Sequence, residues 1–265
     1  MHHFTTTIQI MPNTYNAADI TEALMLFADK QQREILMKFF KTGKGEYGHG
    51  DQFLGIKCPQ TRSVVNMARL KTPLTEIEKL LTSPWHEVRL CGLLLLVEEM
   101  KAATPSRRLP RTAFAERRKA IADFYLAHLE SANNWDLVDM SCPKILGIYL
   151  LFPLPDGTMP DRSLLDRLAA DANLWKQRVA MVTNWMLIRC GQFDDALRIA
   201  SALIGHKHDL IHKAVGWMLR EIWKKNEDVL EGYLETHYRA LPRTALRYAI
   251  EKMSEPRRLY WLNRK

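Results

Sequence analysis

Trp135 and Asp139 lie four residues apart in NNWDLVDMSCPKI, residues 133–145, a spacing that stacks them on one face of a helix. Asn134 is a good N-cap for that helix. At 100° per residue, Val138, Cys142, Ile145, Leu146 and Tyr149 form its apolar stripe, and Trp135 and Asp139 sit at the rim. One account of the aspartate is a solvated carboxylate on a half-buried helix; the other is a carboxylate placed there for charge chemistry. Pro143 lacks the N–H that would bond the carbonyl of residue 139, so a kink or loosening is expected at the aspartate itself. Asp136, in the first turn and pointing away, reads as a carboxylate that complements the helix dipole.

Arg178 poses the matching question in NLWKQRVAMVTNWMLI, residues 173–188. It projects from the middle of a stripe made by Leu174, Trp175, Met181, Val182 and Trp185. A guanidinium there needs an anion, because an unpaired buried charge costs several kcal/mol or more. A buried arginine–carboxylate pair would satisfy it, and so would an anion brought by a ligand. In HDLIHKAVGWMLREIWKK, Trp217 lies at the edge of the stripe of Leu210, Ile211, Ala214, Met218 and Ile222, beside Lys213, Arg220 and Lys224. Cations for phosphate and a flat ring for sugar or base are what a nucleic-acid groove uses. A tryptophan at a stripe edge is nevertheless more often core than contact.

Two other stretches are less specific. KTGKGEYGHGDQFLGIK carries glycines at 43, 45, 48 and 50 but no preceding strand and no GxxxxGK[ST], so it is not a P-loop. It reads as a flexible inter-helix loop, with phosphate-backbone contact as its secondary reading. RRLPRTAFAERRK, residues 107–119, holds six positive charges against one negative and reads as a solvated face that adds to an electrostatic footprint.

The elements that must position these residues are helices. Periodicity of the 3.6-residue kind runs almost throughout, and strand-like alternation is confined to stretches such as Thr5 to Ile10. Helices are expected over Ala17–Phe40, Gln60–Arg69, Leu74–Leu81, Trp85–Lys101, Arg111–Leu129, Trp135–Leu151, Arg162–Ala170, Leu174–Cys190, Asp194–Leu203, Leu210–Lys224 and Asp228–Tyr238, and from Pro242 to the end. Ser-Pro-Trp85, Asn-Asn-Trp135, Asn-Leu-Trp175 and Asp-Leu-Ile211 each open an apolar helix, at intervals of 50, 40 and 36 residues. Those intervals bracket the period of HEAT-like helix pairs. The expected architecture is therefore an all-α, HEAT-like helical-repeat solenoid, curved, with a concave groove. No linker is long enough to divide it, so residues 1–265 form one expected domain, with 1–16 a candidate disordered segment.

Composition bounds the partners. A hydrophobic content of 47% over 265 residues excludes general disorder and allows a sizeable core. Net charge +8 and a pI near 9.3 favour a polyanionic partner, without separating nucleic acid from acidic protein or membrane surface. Cys58, Cys91, Cys142 and Cys190 show no CxxC and no metal-ligand spacing, which fits a reducing, cytoplasmic compartment and predicts no metal and no cofactor. The apolar run Leu93 to Val97 ends at Glu98 and Glu99, far short of a membrane span, and the start lacks a signal-peptide pattern.

NNWDLVD, NLWKQR and HKAVGWMLRE, with FLGIKCPQTR before them, resemble the AlkD-like DNA alkylation repair family, bacterial HEAT-like DNA glycosylases. The likeness runs from about Gln31 to Lys225, with the motifs in matching order and spacing. It departs after Arg178, where a family lysine that touches the DNA backbone has no clear counterpart. The resemblance implies that Trp135, Asp139, Arg178 and Trp217 surround the damaged nucleotide, and that a protein with all four excises cationic N3- and N7-alkylpurines such as 3-methyladenine and 7-methylguanine. It further implies that an open groove replaces a base-flipping pocket; with Arg178 at a phosphate beside the lesion, the basic strip of Lys213, Arg220 and Lys224 on one helix is expected to contact duplex DNA, and a monomer is expected. Two other classes compete: a non-catalytic helical-repeat protein that binds branched or distorted DNA, and a HEAT-type protein scaffold. The scaffold has no particular use for the positive charge and the paired tryptophans.

Overall fold

The computed structural model describes residues 14–264; residues 1–13 of the candidate disordered segment, including Thr5–Ile10, lie outside the described residues. Residues 14–16 are ordered. Tyr15 is buried and donates its N–H to the Lys71 carbonyl at 2.9 Å, and Asn16 caps the first helix.

The chain folds into α1 (Ala17–Met25), α2 (Lys30–Phe39), α3 (Cys58–Ala68), α4 (Leu74–Leu81), α5 (His86–Ala102), α6 (Ala115–Ala127), α7 (Trp135–Tyr149), α8 (Ser163–Ala169), α9 (Leu174–Val182), α10 (Asn184–Arg189), α11 (Asp194–Ala202), α12 (Asp209–Trp223), α13 (Glu227–His237), α14 (Arg243–Ala249) and α15 (Glu255–Asn263). No strand occurs among the described residues; an isolated parallel bridge joins Gln52 to Trp85. Three helices expected to be continuous are broken, each for a local reason. Ala17–Phe40 divides at Asp29, whose carboxylate caps α2 by accepting from the Gln32 N–H at 2.9 Å. Leu174–Cys190 divides at Thr183, where the Asn184 side chain donates to the Ala180 and Met181 carbonyls and so competes with the backbone ladder. The C-terminal helix divides at residues 250–254, before Pro256 in the first turn of α15. By contrast, α7 runs through Pro143 without a break.

The helices form two layers. One row, α5, α7, α9, α12 and α14, packs each member on the next, while α4, α6, α8 and α11 back α5, α7, α9 and α12 respectively. This is the packing of an all-α helical-repeat solenoid. The four repeat openings recognised in the sequence mark the starts of α5, α7, α9 and α12, the consecutive members of that row. Through its middle, α5 is apolar on all sides, with Leu90, Cys91 and Leu93 to Val97 all buried, because α3, α4, α6 and α7 surround it.

The 107–119 stretch is not simply a solvated face. Arg118 is buried, and its guanidinium donates to the carbonyls of Ala103, Arg111, Ala113 and Pro153 while its charge lies 5.1 Å from the Phe152 ring centre. Carbonyl oxygens supply the compensation that a buried cation requires.

Close approach of α12 to α14 depends on Gly216. A Cβ there would lie 2.4 Å from the Tyr248 Cβ and 2.5 Å from the Ala245 carbonyl oxygen. Gly216→Ala gains helix propensity but forces two backbones apart, and a net loss of about 2 kcal/mol is expected in equilibrium denaturation. Unchanged stability would show that the helices can part without cost.

Candidate functional site

One cleft, with a volume of about 430 Å³, opens along the α7–α9–α12–α14 row. The Asn134 side chain accepts from the Trp135 N–H at 2.8 Å and starts α7, which delivers Trp135 and Asp139 one turn apart to the cleft wall. Asn173 caps α9 in the same manner and sets Arg178 in its second turn. From α12, Leu210, Lys213, Trp217 and Arg220 recur at helical spacing and form the facing wall. Phe39 from α2, Tyr47 from the α2–α3 loop and Tyr248 from α14 complete the lining. Six of the seven residues expected to act thus share one cleft. Lys224 does not line it.

Arg178 and Asp139 find each other. Arg178 Nε donates to Asp139 Oδ1 at 2.8 Å and Nη2 to Oδ2 at 2.7 Å, the bidentate fork that suits a planar guanidinium and a carboxylate. Arg178 Nη1 donates to the Leu210 carbonyl at 2.5 Å, which ties α7, α9 and α12 together at one point. The anion beside Arg178 is therefore supplied by the protein: of the two partners the sequence allowed, the structure holds the carboxylate. Burial is the largest influence on the Asp139 carboxyl and raises its pKa above the ordinary value, the Arg178 charge opposing and Asp136 assisting. The Arg178 side chain is 6% exposed and that of Asp139 15%, so Asp139 forms the part of the pair nearer the open cleft.

The basic strip on α12 is also paired. Lys213 bonds Asp209 at 2.7 Å, Arg220 bonds Glu251, and Lys224 bonds Glu221 at 2.6 Å. Glu221 also accepts from the Trp217 indole N–H at 3.2 Å. Trp217 is half-buried and faces the cleft, so it is a wall residue as well as a packing one.

Asp136 is not the solvated dipole carboxylate that its position suggests. It is buried, and its Oδ2 lies 2.9 Å from His86 Nε2; His86 Nδ1 lies 2.7 Å from Asp51 Oδ2. Arg89 completes the cluster by donating to Asp51 Oδ1 at 2.6 Å and Asn133 Oδ1 at 3.0 Å. The rings of Phe53 and Phe40 stack between His86 and Trp135 at centre distances of 4.3, 5.1 and 5.4 Å. Burial disfavours charge on His86, but Asp136 and Asp51 outweigh it and lift its pKa to about 9. For Asp51, burial pushes upward, while His86 and Arg89 prevail and hold its carboxyl below the ordinary range. Sequence reasoning missed this cluster, together with Phe39, Tyr47 and Tyr248. The available signal was Tyr47 within the glycine-rich run, the one phenol between Gly43 and Gly50.

A helical-repeat protein whose inner row gathers aromatic rings, a carboxylate and cations around one cleft is the class defined by fold and site. A family model described as DNA alkylation repair enzyme matches residues 20–253, and the chain belongs to that family. Among solved structures it is similar to one titled a predicted DNA alkylation repair enzyme from Enterococcus faecalis. The two are 18% identical, with a TM-score of 0.60, over 86% of this chain and 97% of the other. No curated protein matches it. Among the described residues, no group of acidic, histidine and cysteine side chains is arranged to hold a metal ion, and no helix is long and apolar enough to cross a membrane.

Removing one half of a buried ion pair strands the other. Arg178→Ala is expected to lower the unfolding free energy by about 3–5 kcal/mol, measured by urea denaturation without DNA; an unchanged midpoint would mean that Asp139 needs no partner. His86 gives a pH signature. Its folded pKa is raised above 6.5, so its stabilisation is complete below pH 6.5 and lost as pH rises through about 9. The stability gap between wild type and His86→Gln should narrow by roughly 3 kcal/mol from pH 6 to pH 10, and a constant gap would refute the charged imidazole.

Proposed function

We propose that this protein is a monofunctional DNA glycosylase that excises positively charged N3- and N7-alkylpurines, 3-methyladenine and 7-methylguanine among them, from duplex DNA. The observation that carries the reading is the Asp139 carboxylate, held in the cleft by Arg178 between Trp135 and Trp217. An N-alkylated purine already carries the charge of a good leaving group, so breaking its glycosidic bond builds oxocarbenium-like cation on the deoxyribose and needs little acid catalysis. Asp139 answers that cation and positions or deprotonates the attacking water, and the indole faces of Trp135 and Trp217 favour the cationic sugar and base. Two Asp139 lone pairs are engaged by Arg178, which leaves others for the substrate. The ion pair is neutral as a unit. A bare carboxylate would repel the DNA backbone, whereas the paired one is screened from it and gains most from the cation that develops on the sugar as the bond breaks.

Two N–H groups of Arg178 remain for a phosphate, and Lys213 and Arg220 supply further backbone contacts by exchanging Asp209 and Glu251 for phosphate oxygens. Lys224 contributes at longer range, outside the cleft. Lys213 is the lysine that lines the cleft, and its hydrogen bond to Asp209 leads the influences that raise its pKa. A protonated amine is no Schiff-base nucleophile, which supports hydrolysis without lyase activity. The cleft is assembled within one chain, which supports a monomer, and the cytoplasm is its proposed compartment.

A non-catalytic protein that binds branched or distorted DNA is the second reading. It draws support from the pairing of every cleft cation with an acid, as a structural role would require.

Asp139→Asn separates the two. It is expected to slow single-turnover release of 7-methylguanine by 10²–10³-fold, about 3–4 kcal/mol, with duplex affinity retained. Because Arg178 loses its charged partner, the variant should also be less stable and is assayed well below its midpoint. Asp123→Asn, whose exposed carboxylate pairs with Lys119 on α6 and lies outside the cleft lining, is the control and should release base at a rate close to wild type. Near-wild-type release by Asp139→Asn would sink the catalytic assignment, and no release by the wild type would leave the binding reading.

A further inference from the structure

The glycine-rich loop between α2 and α3 is the motif that the proposed reaction leaves without a role, and its tip is anchored rather than loose. Gly48 donates its N–H to the Lys41 carbonyl at 3.0 Å. A Cβ at Gly48 would lie 2.4 Å from the Phe40 carbonyl oxygen and 3.3 Å from Asn134 Nδ2, so only glycine fits between the end of α2 and the cap of α7. Three residues on, Asp51 is fixed by His86 and Arg89. These anchors present Tyr47 to the cleft, where its ring meets Trp175 and His208 edge-on at 6.0 and 6.4 Å. Trp135 and Lys213 line the same cleft as Tyr47. Trp135 begins α7, Trp175 is the second residue of α9, and His208 caps α12. Side chains from the N-terminal ends of α7, α9 and α12 thus touch Tyr47 or share its cleft, together with Lys213, a setting that suits an anion.

Resting on the DNA reading above, we propose that Tyr47 and Lys213 bind one backbone phosphate of the lesion-containing duplex, the phenol O–H and the ammonium each donating to a non-bridging oxygen. In the free protein Asp209 holds Lys213 at 2.7 Å, and the phosphate takes the place of that carboxylate. Anchoring the loop by Gly48 and Asp51 preorganises the phenol, so its contact is made without ordering a mobile segment at the moment of binding. The loop thereby joins the cleft as a working wall, and His86 becomes a positioning residue for it.

The test uses the full chain and duplexes carrying a tetrahydrofuran abasic analogue, all-phosphate or with single methylphosphonates stepped through the flanking positions. Tyr47→Phe keeps the ring contacts and removes one hydroxyl. It is expected to weaken binding of the all-phosphate duplex about tenfold, as loss of a hydrogen bond to a charged group does. At one methylphosphonate position, wild type and Tyr47→Phe should bind alike, and Lys213→Gln should lose most of its effect at that same position. Equal affinity of Tyr47→Phe and wild type for the all-phosphate duplex overturns the assignment, as does a loss that survives every methylphosphonate. Release of 7-methylguanine by the wild type is read separately. Its absence with the Tyr47 effect intact removes the glycosylase reading and leaves the phosphate contact; its presence with no Tyr47 effect does the reverse. A wild-type protein that binds none of the duplexes sinks both.

Discussion

The bidentate pair between Asp139 and Arg178 is the interaction on which the rest of the site depends. It joins α7 to α9, and the third arm of the guanidinium reaches the Leu210 carbonyl at the start of α12. Three consecutive helices of the inner row are thereby registered against one another by a single side chain. An ion pair at this depth is weak evidence for stability in itself, since desolvation offsets much of its attraction. What it supplies is placement: a carboxylate whose direction is set before any ligand arrives.

Around that pair, the molecule manages charge by pairing it. Lys213, Arg220 and Lys224 each have an acidic neighbour, Arg118 is wrapped in carbonyl oxygens, and the Asp51–His86–Asp136 chain alternates sign through a buried space. A net charge of +8 therefore does not translate into bare cations at the cleft. Under the DNA reading proposed above, this arrangement makes binding an exchange of partners. The gain on association is smaller than a count of lysines and arginines suggests, and discrimination falls to the few groups whose partners change.

The aromatic residues divide into two kinds. Phe40 and Phe53 are buried spacers that stack between His86 and Trp135 and transmit the position of the charged cluster to the cleft wall. Trp135, Trp217, Tyr47 and Tyr248 keep a face or an edge toward the cleft. Both kinds are needed for a rigid wall, because a ring presented to a ligand holds its orientation only if the rings behind it are packed.

Local rules made much of this legible. Periodicity alone yields the all-α class, the starts of α5, α7, α9 and α12, and the rim positions of Trp135, Asp139 and Trp217, because those properties repeat every 3.6 residues and need no knowledge of neighbours. The same rules misjudged the breaks at Asp29 and Thr183, where side chains compete for backbone groups, and the glycine-rich loop, which is wedged rather than flexible. They also misread Asp136 and Arg118, and they left the partner of Arg178 open. For Arg178, Asp136 and Arg118 the deciding contact lies far along the chain: 39 residues from Asp139 to Arg178, 50 from His86 to Asp136, and 35 from Arg118 to Pro153. A charged residue's role depends on the charge it meets in space, and helical spacing fixes only the face from which it looks. The sequence by itself determined which side chains turn toward the groove; tertiary structure alone decided which of them are already paired when they get there.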